Sequence, residues 1–408
     1  MPSQRHTSGA AARRALWILA TAALLTACGD DATDDATDDA TDAGDGAADD
    51  VSPVSLAQQP ALVSDWLNKR LDLVDLDALE EGGSRADALV ASLDLSDYHQ
   101  GPLNAEVTPD GKLALVALSD GFFGLSELAG MLLLNASEVP MGEGRVIVVD
   151  LERFEVVAEI DTGNGPMGIL YTEGGSRAVV AHFGTDSLAV IDVEAREVVE
   201  QVQVGIYSEE IAADDRGEVA IFSYSAAGNV RTFGTDDLAG TLSDDIELSG
   251  DAAGVAFFPG TKTAYVVQAP MPLTSALGGH TVLDVTDPSA PVVLDDVRSE
   301  TAPIAYPAAP APGRGTVVVP TAQNGVLALE EIALQDDGTV ETLQRLEVGA
   351  AGTFFGAYGV YVDDADRALL SVPASKEILV VDLEAGVHFA IPWEGDDAGP
   401  MDIAPIPH

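Results

Sequence analysis

A short signature recurs along this chain: four residues, mostly apolar, closed by an acidic residue. It occurs at 146–150 and again forty-two residues later at 188–192. Further copies lie at 280–284, 326–330 and 378–382, and a degenerate copy without the acid lies at 229–234. Self-similarity at a period of about 40–50 residues predicts an array or ring of small structural units, because one such unit cannot bury its apolar face alone.

Each copy has companions in a fixed order. After the acid come a polar turn and a second strand-like segment that ends in glycine, as at 156–163. A segment led by proline or small residues follows, as at 165–169, then a turn such as Pro109-Asp110-Gly111 and a β-rich segment such as 113–118. Four short strands per unit, with turn residues between them, are typical of the blades of a β-propeller.

One unit carries a recognisable family resemblance. Residues 178–205 contain Val180-Ala181-His182, a turn of glycine, threonine and aspartate, the apolar run ending at Asp192, and a last strand ending in Val204-Gly205. This stretch resembles the YVTN-type propeller repeat, and the other units resemble it more loosely. The resemblance implies a propeller. Proteins similar to this repeat include lactonase-like and quinoprotein-dehydrogenase-like propellers as well as binding modules.

The number of blades is predicted from the incomplete units at the two ends of the chain. Residues 102–398 give six units, and 399–404 repeat the first strand of a unit without its outer strands. Residues 71–76 and 89–94 resemble outer strands without an inner one. We therefore predict an all-β, seven-bladed propeller, closed by pairing of the N-terminal and C-terminal strands, with six or eight blades as alternatives. Residues 55–69, around Trp66, are predicted to form a short amphipathic helix that caps one face of the 53–408 domain.

The first 52 residues predict export and a membrane anchor. Residues 1–27 combine three arginines with a short apolar run, as signal peptides do. Leu25-Thr26-Ala27-Cys28 resembles the lipobox of bacterial lipoproteins, and Cys28 is the only cysteine of the chain. The resemblance implies lipid attachment at Cys28 and a place in the cell envelope, with the outer membrane preferred. Residues 29–52 contain ten acidic residues and no basic one, which predicts a disordered tether.

The charge of the chain excludes one class of partner. Without residues 1–52 the chain keeps 16 basic and 58 acidic residues, a net charge of −42. Nucleic acid is therefore excluded, because binding to phosphates needs a basic surface. Weak calcium binding to the acidic surface stays open. Salt is expected to relieve the self-repulsion of such a charge.

Catalytic constellations are not evident in the sequence. His99, His182, His280 and His388 have no second histidine or cysteine at metal-ligand spacing, so we predict no cofactor and no catalytic residue. His182 near Asp186 could be half of a ligand set, or it could fill a polar position of the repeat. Acidic pairs are expected in solvated turns; they lie at 214–215, 236–237, 244–245, 295–296, 336–337 and 363–364. Glu209-Glu210 stands on an inner strand near the central channel, where it could bind a cation.

The segment at 119–144 is the strongest candidate for a binding element. It interrupts the first full unit with an apolar sequence on a highly charged protein. It would either fold back as a short helix over the propeller or bind a partner. The candidate partner-binding residues are Phe122, Phe123, Leu125, Leu128 and Met131. A second insertion, 270–279, and the aromatic run 354–358 could lie on the same face.

Three functions follow from these features. The preferred one is a non-catalytic binding or scaffold module of the cell envelope, which holds an unknown protein or envelope ligand on a propeller face. The alternatives are a propeller enzyme, lactonase-like or quinoprotein-dehydrogenase-like, and a calcium-binding surface-layer component.

Overall fold

The structure is a computed structural model, and it describes residues 59–119, 144–205, 208–224, 229–248, 251–269, 278–299, 304–305, 307–351, 357–393 and 399–407. Cys28 and the whole of 1–58 lie outside these residues, as does the candidate binding segment 120–143. The described residues form seven antiparallel sheets. The inner strands of successive sheets contact one another around a closed circle, so the all-β, seven-bladed propeller is confirmed.

The strands follow one another in the order that the repeat predicts. Those before the first complete blade are β1 (Pro60–Asp65), β2 (Arg70–Asp75) and β3 (Leu89–Asp94). Blade 1 contains β4 (Gly101–Val107), β5 (Leu113–Ser119), β6 (Arg145–Asp150) and β7 (Glu155–Ile160). Blade 2 contains β8 (Pro166–Thr172), β9 (Arg177–His182), β10 (Ser187–Asp192) and β11 (Glu197–Gln203). Blade 3 contains β12 (Ser208–Ala213), β13 (Val219–Tyr224), β14 (Asn229–Gly234) and β15 (Ile246–Glu247).

The second half of the ring is built in the same way. Blade 4 contains β16 (Asp251–Phe257), β17 (Thr263–Ala269), β18 (Gly278–Asp284) and β19 (Val292–Ser299). Blade 5 contains β20 (Ile304–Ala305), β21 (Ala309–Ala311), β22 (Thr316–Gln323), β23 (Val326–Leu334) and β24 (Val340–Ala350). Blade 6 contains β25 (Gly359–Val362), β26 (Arg367–Val372), β27 (Glu377–Asp382) and β28 (Val387–Pro392), and β29 (Pro400–Pro405) follows it.

Helices are few and short among these residues. The α-helices are α1 (Arg85–Ala88), between β2 and β3, and α2 (Leu238–Thr241), between β14 and β15. Single 3₁₀ turns lie at Leu76–Ala78 and Glu173–Gly175. No helix of the described ranges is long and apolar enough to cross a membrane.

Blade 7 combines the two ends of the chain. Its sheet has the order β29, β1, β2, β3, with β29 innermost. This confirms the predicted pairing of the C-terminal inner strand with outer strands from the N-terminal region. The predicted capping helix at 55–69 is wrong, because β1 fills the position between β29 and β2. Ala61, Leu62 and Val63 are fully buried, since a central strand is covered on both faces and therefore has a continuous apolar run.

The recurring acid has a local structural role. In blade 2, Asp192 Oδ1 accepts a hydrogen bond from the Ala195 N–H (2.8 Å), and in blade 6 Asp382 Oδ1 accepts one from the Ala385 N–H (2.7 Å). The acid thus fixes the turn into the outer strand, as aspartate does in Asx turns. Equivalent bonds to a nearby backbone N–H are accepted by Asp75, Asp150 and Asp284.

The apolar residues of each blade pack against the neighbouring blades. Between blades 1 and 2, the buried side chains include Leu115, Val148, Ile169 and Val180. Alternate residues of one strand face opposite neighbours, so Val179 and Ala181 pack toward blade 3 instead. The core is therefore a circle of interfaces, and every blade depends on two neighbours.

Blade 5 departs from the repeat. Its inner strand is split into β20 and β21, with Pro307 between them and Pro310 within β21. The strand is interrupted because proline has no N–H to donate to the sheet. The outer hairpin continues past Glu330 and Arg345, the pair at which other blades turn, by four residues on β23 and five on β24, as far as Leu334 and Val340. Glu331, which is 2 % exposed, accepts two hydrogen bonds from Arg314, at 2.6 and 3.0 Å.

Candidate functional site

The two faces of the ring carry different kinds of connection. Neighbouring strands of a blade are antiparallel, so successive connections lie at opposite ends of the strands. All connections from a second to a third strand therefore lie on one face of the ring. Connections from one blade to the next leave on the same face, which we call the loop face. The remaining hairpin connections form the turn face. The loop face includes the longest connection within the ring, between Ser119 and Arg145.

Most connections of the turn face are short, hydrogen-bonded turns, and the two longer ones, 76–88 and 235–245, contain the helices α1 and α2. Asp214 Oδ1 accepts from the Glu218 and Val219 N–H groups, at 2.7 and 3.0 Å, and Asp363 Oδ1 accepts from the Arg367 N–H at 2.8 Å. Acidic pairs were predicted at these turns, and five of the six lie between strands or at helix α2; Asp295-Asp296 is the exception, because it lies within β19. The longest connection of the ring, 120–144, lies on the opposite face.

Trp66 links the closing blade to blade 1 at the loop face. Its indole Nε1–H donates to the Ser119 carbonyl (2.7 Å), and its backbone N–H donates to the Gly399 carbonyl (3.0 Å). Gly101 lies directly against Trp66, where a β-carbon would clash with the tryptophan backbone. Ser119 is fully buried. The segment 120–143 therefore leaves from a fixed point where three parts of the chain meet.

The same segment returns at another tightly packed position. A β-carbon on Gly144 would collide with the ring of Pro166, so the backbone just before β6 lies directly against blade 2. Phe122, Phe123, Leu125, Leu128 and Met131 lie outside the described residues. The second insertion and the aromatic run fall largely outside them too, but the strands that flank them end on the loop face.

His182 is buried at the loop-face end of β9. Its Nδ1 lies 3.0 Å from the Ser187 carbonyl, and its Nε2 has no hydrogen-bond partner among the described residues. Burial lowers the pKa of His182 to about 4, against a smaller opposing effect of the bond to Ser187. A neutral ring then donates from Nδ1, so the side chain fills the polar position of the repeat. Among the described residues, no hydrogen bond joins the His182 ring to Asp186.

The other histidines are dispersed. His280 stacks on Tyr265 at a centroid distance of 5.3 Å, and its Nε2 lies 3.5 Å from Asp295 Oδ2. Burial lowers the pKa of His280 more than the neighbouring aspartates raise it. His99 and His388 are exposed on other parts of the surface. Within the described ranges no group of three or more histidine, cysteine, aspartate or glutamate side chains is arranged to hold a metal.

The central channel holds acidic groups that the sequence reasoning missed. Glu106 stands on β4 and Asp402 on β29, both inner strands, and both are half-buried. Asp402 Oδ2 accepts a hydrogen bond from the Ala105 N–H (2.9 Å), which joins blades 7 and 1 at the channel. Burial raises the pKa of Asp402 to about 6, and burial followed by the charge of Asp402 raises that of Glu106 to about 8.

The predicted channel acid Glu210 does lie on an inner strand. It belongs to β12 of blade 3, and its N–H donates to Ser223 Oγ at 3.3 Å. A signal for the missed pair was present, since Glu106 and Asp402 are acids within strands whose other residues are mostly apolar or small. Such a residue costs free energy by its burial and therefore marks a constrained position.

Comparisons with known proteins agree with this fold. No family model matches the chain, and no curated protein sequence matches it significantly. A functionally unknown protein from Desulfotomaculum acetoxidans superposes with a TM-score of 0.64 at 14% identity, over 85% of this chain and 99% of that one. The fold of the chain is thus shared with solved structures.

Two further similar structures bear names of lactonases. The periplasmic gluconolactonase of Pseudomonas aeruginosa superposes with a TM-score of 0.60 at 13% identity, over 86% of this chain and 99% of that one. A putative 6-phosphogluconolactonase from Bacteroides fragilis gives 0.57 at 12% identity, over 89% and 100%. At such identities the likeness establishes the β-propeller fold and nothing about activity.

Proposed function

We propose that the protein is a cell-envelope lipoprotein of the outer membrane whose propeller, built from YVTN-type repeats, is a non-catalytic binding module. It is anchored through lipid on Cys28 and holds a protein or another envelope ligand on its loop face. The apolar residues Phe122, Phe123, Leu125, Leu128 and Met131 supply the contact area, since large apolar patches on charged proteins commonly mark interaction sites.

The position at which the chain enters the ring carries this proposal. β1 begins at Pro60 on the turn face, where the Pro60 carbonyl accepts from the Ile406 N–H (2.9 Å), and it runs toward the loop face. A tether that joins Cys28 to β1 therefore meets the propeller on its turn face. This supports the proposal, because the loop face is the face of the ring opposite to the one where the proposed tether joins β1.

The anchor is tested by Cys28→Ala. The expected result is release of the protein from the membrane fraction or accumulation of the unprocessed precursor, because the acyl chains supply the membrane affinity. A processed Cys28→Ala protein that still sediments with membranes would contradict the anchor.

The binding face is tested by site-specific photo-crosslinking in intact cells. A photoreactive residue at Leu125, on the loop-face insertion, is expected to give a discrete higher-mass product. The matched control is the same residue at Asp336, an exposed position of the turn face in blade 5. Equal products from both positions, or products from Asp336 alone, would overturn the assignment of the binding face.

A further inference from the structure

The outer strand of blade 4 has a different surface from the outer strands of the other blades. Six outer strands expose at most one large apolar side chain each; β11, for example, exposes only Val199. Strand β19 exposes four of them within six residues, namely Val292, Val293, Leu294 and Val297. We call these four side chains the β19 strip. Single exposed apolar residues are ordinary, whereas a contiguous group commonly marks an interaction site.

The β19 strip lies at the edge of a sheet. Strand β19 is the last strand of blade 4, and no further strand pairs with it among the described residues. Soluble proteins usually protect such an edge with charged side chains, because the backbone groups of an edge strand can bind another strand. Strand β11 follows this rule, since Glu197 and Glu200 are exposed on it. The first three residues of β19 are instead apolar and exposed.

The long hairpin of blade 5 borders the strip without covering it. A β-carbon on Gly338, in the turn between β23 and β24, would lie 3.1 Å from Cβ of Leu294, so the tip of the hairpin packs against this side chain. Leu294 nevertheless remains 40% exposed, and Val292, Val293 and Val297 are more exposed still. The extension of blade 5 therefore ends beside β19 and leaves the strip accessible.

The border of the strip is negatively charged. Asp336 and Asp337 are exposed at the tip of the blade 5 hairpin, and Asp295 and Asp296 lie on β19 itself. The one basic residue of the strand, Arg298, already pairs with the Asp296 carboxylate at 2.6 Å. On a domain of net charge −42, this border favours a basic partner. It disfavours a second copy of the chain, because two surfaces of like charge repel each other.

We propose that β19 is a docking edge for a basic, extended segment of a partner protein, which adds to blade 4 as a fifth strand. In this mode of recognition, backbone hydrogen bonds to the edge supply affinity and alternate side chains supply specificity. Apolar side chains of the segment would cover the β19 strip, and lysine or arginine side chains between them would face the acidic border. This contact uses the outer rim of the ring and is independent of the loop face. A crosslinked product from Asp336 would therefore differ in mass from the loop-face product at Leu125.

The test is calorimetric titration of the mature protein with a short synthetic peptide in which valine alternates with lysine. The titration is done at about 0.15 M salt, where unspecific attraction between exposed charges is screened. We expect saturable binding of one peptide per chain. The same peptide with every backbone nitrogen methylated should not bind, because it keeps the charges and side chains but cannot donate backbone hydrogen bonds.

Val293→Lys should weaken the binding of the valine–lysine peptide by about tenfold or more, because it places a like charge and a hydrated side chain on the strip. Val199→Lys on β11 is the matched control. The exposed fractions of Val293 and Val199 are 48% and 46%, and the change of charge is the same. Val199→Lys should leave the binding unchanged. Equal melting temperatures of the two variants would show that altered folding is not the cause of the difference.

Absence of saturable binding would overturn the docking edge. Equal binding of the methylated peptide would do the same, since it would show that charge alone attracts the peptide. Equal weakening by Val293→Lys and Val199→Lys would contradict the assignment to β19. Sedimentation equilibrium tests a second copy as the occupant: a dimer that only Val293→Lys dissociates would assign the edge to self-association and overturn the basic partner.

Discussion

Blade 2 and blade 7 are both four-stranded antiparallel sheets, but their strands are held together differently. Blade 2 is formed by one continuous segment, so a short turn connects each strand to its neighbour. Blade 7 must instead join strands more than 300 residues apart, where no turn fixes the register. Asp65, whose side chain is fully buried, lies at this junction. The comparison indicates that side-chain hydrogen bonds replace chain connectivity where the ring closes.

The bonds of Asp65 show how this works. Its Oδ1 accepts from the Gly399 N–H (2.9 Å), and its Oδ2 accepts from Asn68 Nδ2 (2.9 Å) and pairs with the Arg70 guanidinium (2.7 Å). One carboxylate thus connects the loop after β1 to the residue before β29. Blade 2 has only local carboxylate bonds at its turns, such as that of Asp192.

Removing β29 is the change with the largest expected effect. Deletion of residues 400–408 exposes the inner edge of β1 and removes Met401, Ile403 and Ala404 from the core, where each is less than 7 % exposed. We expect loss of more than about 5 kcal/mol of stability, seen as rapid limited proteolysis and a lost cooperative melt by circular dichroism. Removal of His408 alone should have little effect. A truncated protein that melts like the parent would show that blade 7 does not close the ring.

Asp65→Ala tests the junction with the strands left in place. It leaves the Gly399 N–H and the Arg70 side chain without their buried partner, so we expect a loss of about 3 kcal/mol. Denaturant unfolding followed by tryptophan fluorescence measures this loss. A change below about 1 kcal/mol would mean that backbone pairing alone holds the junction.

The channel pair should make stability depend on pH. The pKa values of Glu106 and Asp402, about 8 and 6, are raised above their ordinary values. In that window the folded state binds more protons than the unfolded state, so these groups reduce stability as pH rises from about 5 to 8. Glu106→Gln should therefore make this fall in unfolding free energy less steep, by up to about 1.4 kcal/mol per pH unit, as measured by denaturant unfolding at several pH values. Identical slopes in both proteins would remove Glu106 as their cause.

Asp192→Ala gives the smallest expected effect. It removes one local turn bond in blade 2, so a loss of about 1 kcal/mol is expected, about a third of that at Asp65. The same unfolding measurement compares the two variants directly. If Asp192→Ala costs as much as Asp65→Ala, closure does not depend on a specially placed carboxylate.

The sequence predicts those features that depend on local pattern. The acid at 150, 192, 284 and 382 recurs because these blades use the same turn, and the periodicity also predicted an inner strand at 399–404, which the structure places at Pro400–Pro405. Strand β1 was missed because its continuous apolar run, followed by Trp66, Asn68 and Lys69, lacks the alternation of an exposed strand. Burial on both faces produces this run.

The polar sites could not be predicted for a different reason. Asp65 looks like an ordinary acid in a chain that has 68 of them, and although Glu106 and Asp402 stand out within apolar strands, nothing near them in the sequence identifies their partners. Their roles depend on neighbours from the opposite end of the chain, as between Asp402 and Ala105. Local sequence does not encode such contacts, so only the closed ring reveals them.

The central place of β1 in its sheet determines how the ring would respond to mechanical force. Traction through residue 59 acts along the axis of β1, while the hydrogen bonds to β2 and β29 run across it. Those bonds are therefore sheared together on both sides and are not peeled apart one at a time. Force applied through the chain that precedes β1 would therefore meet its greatest resistance at β1 itself.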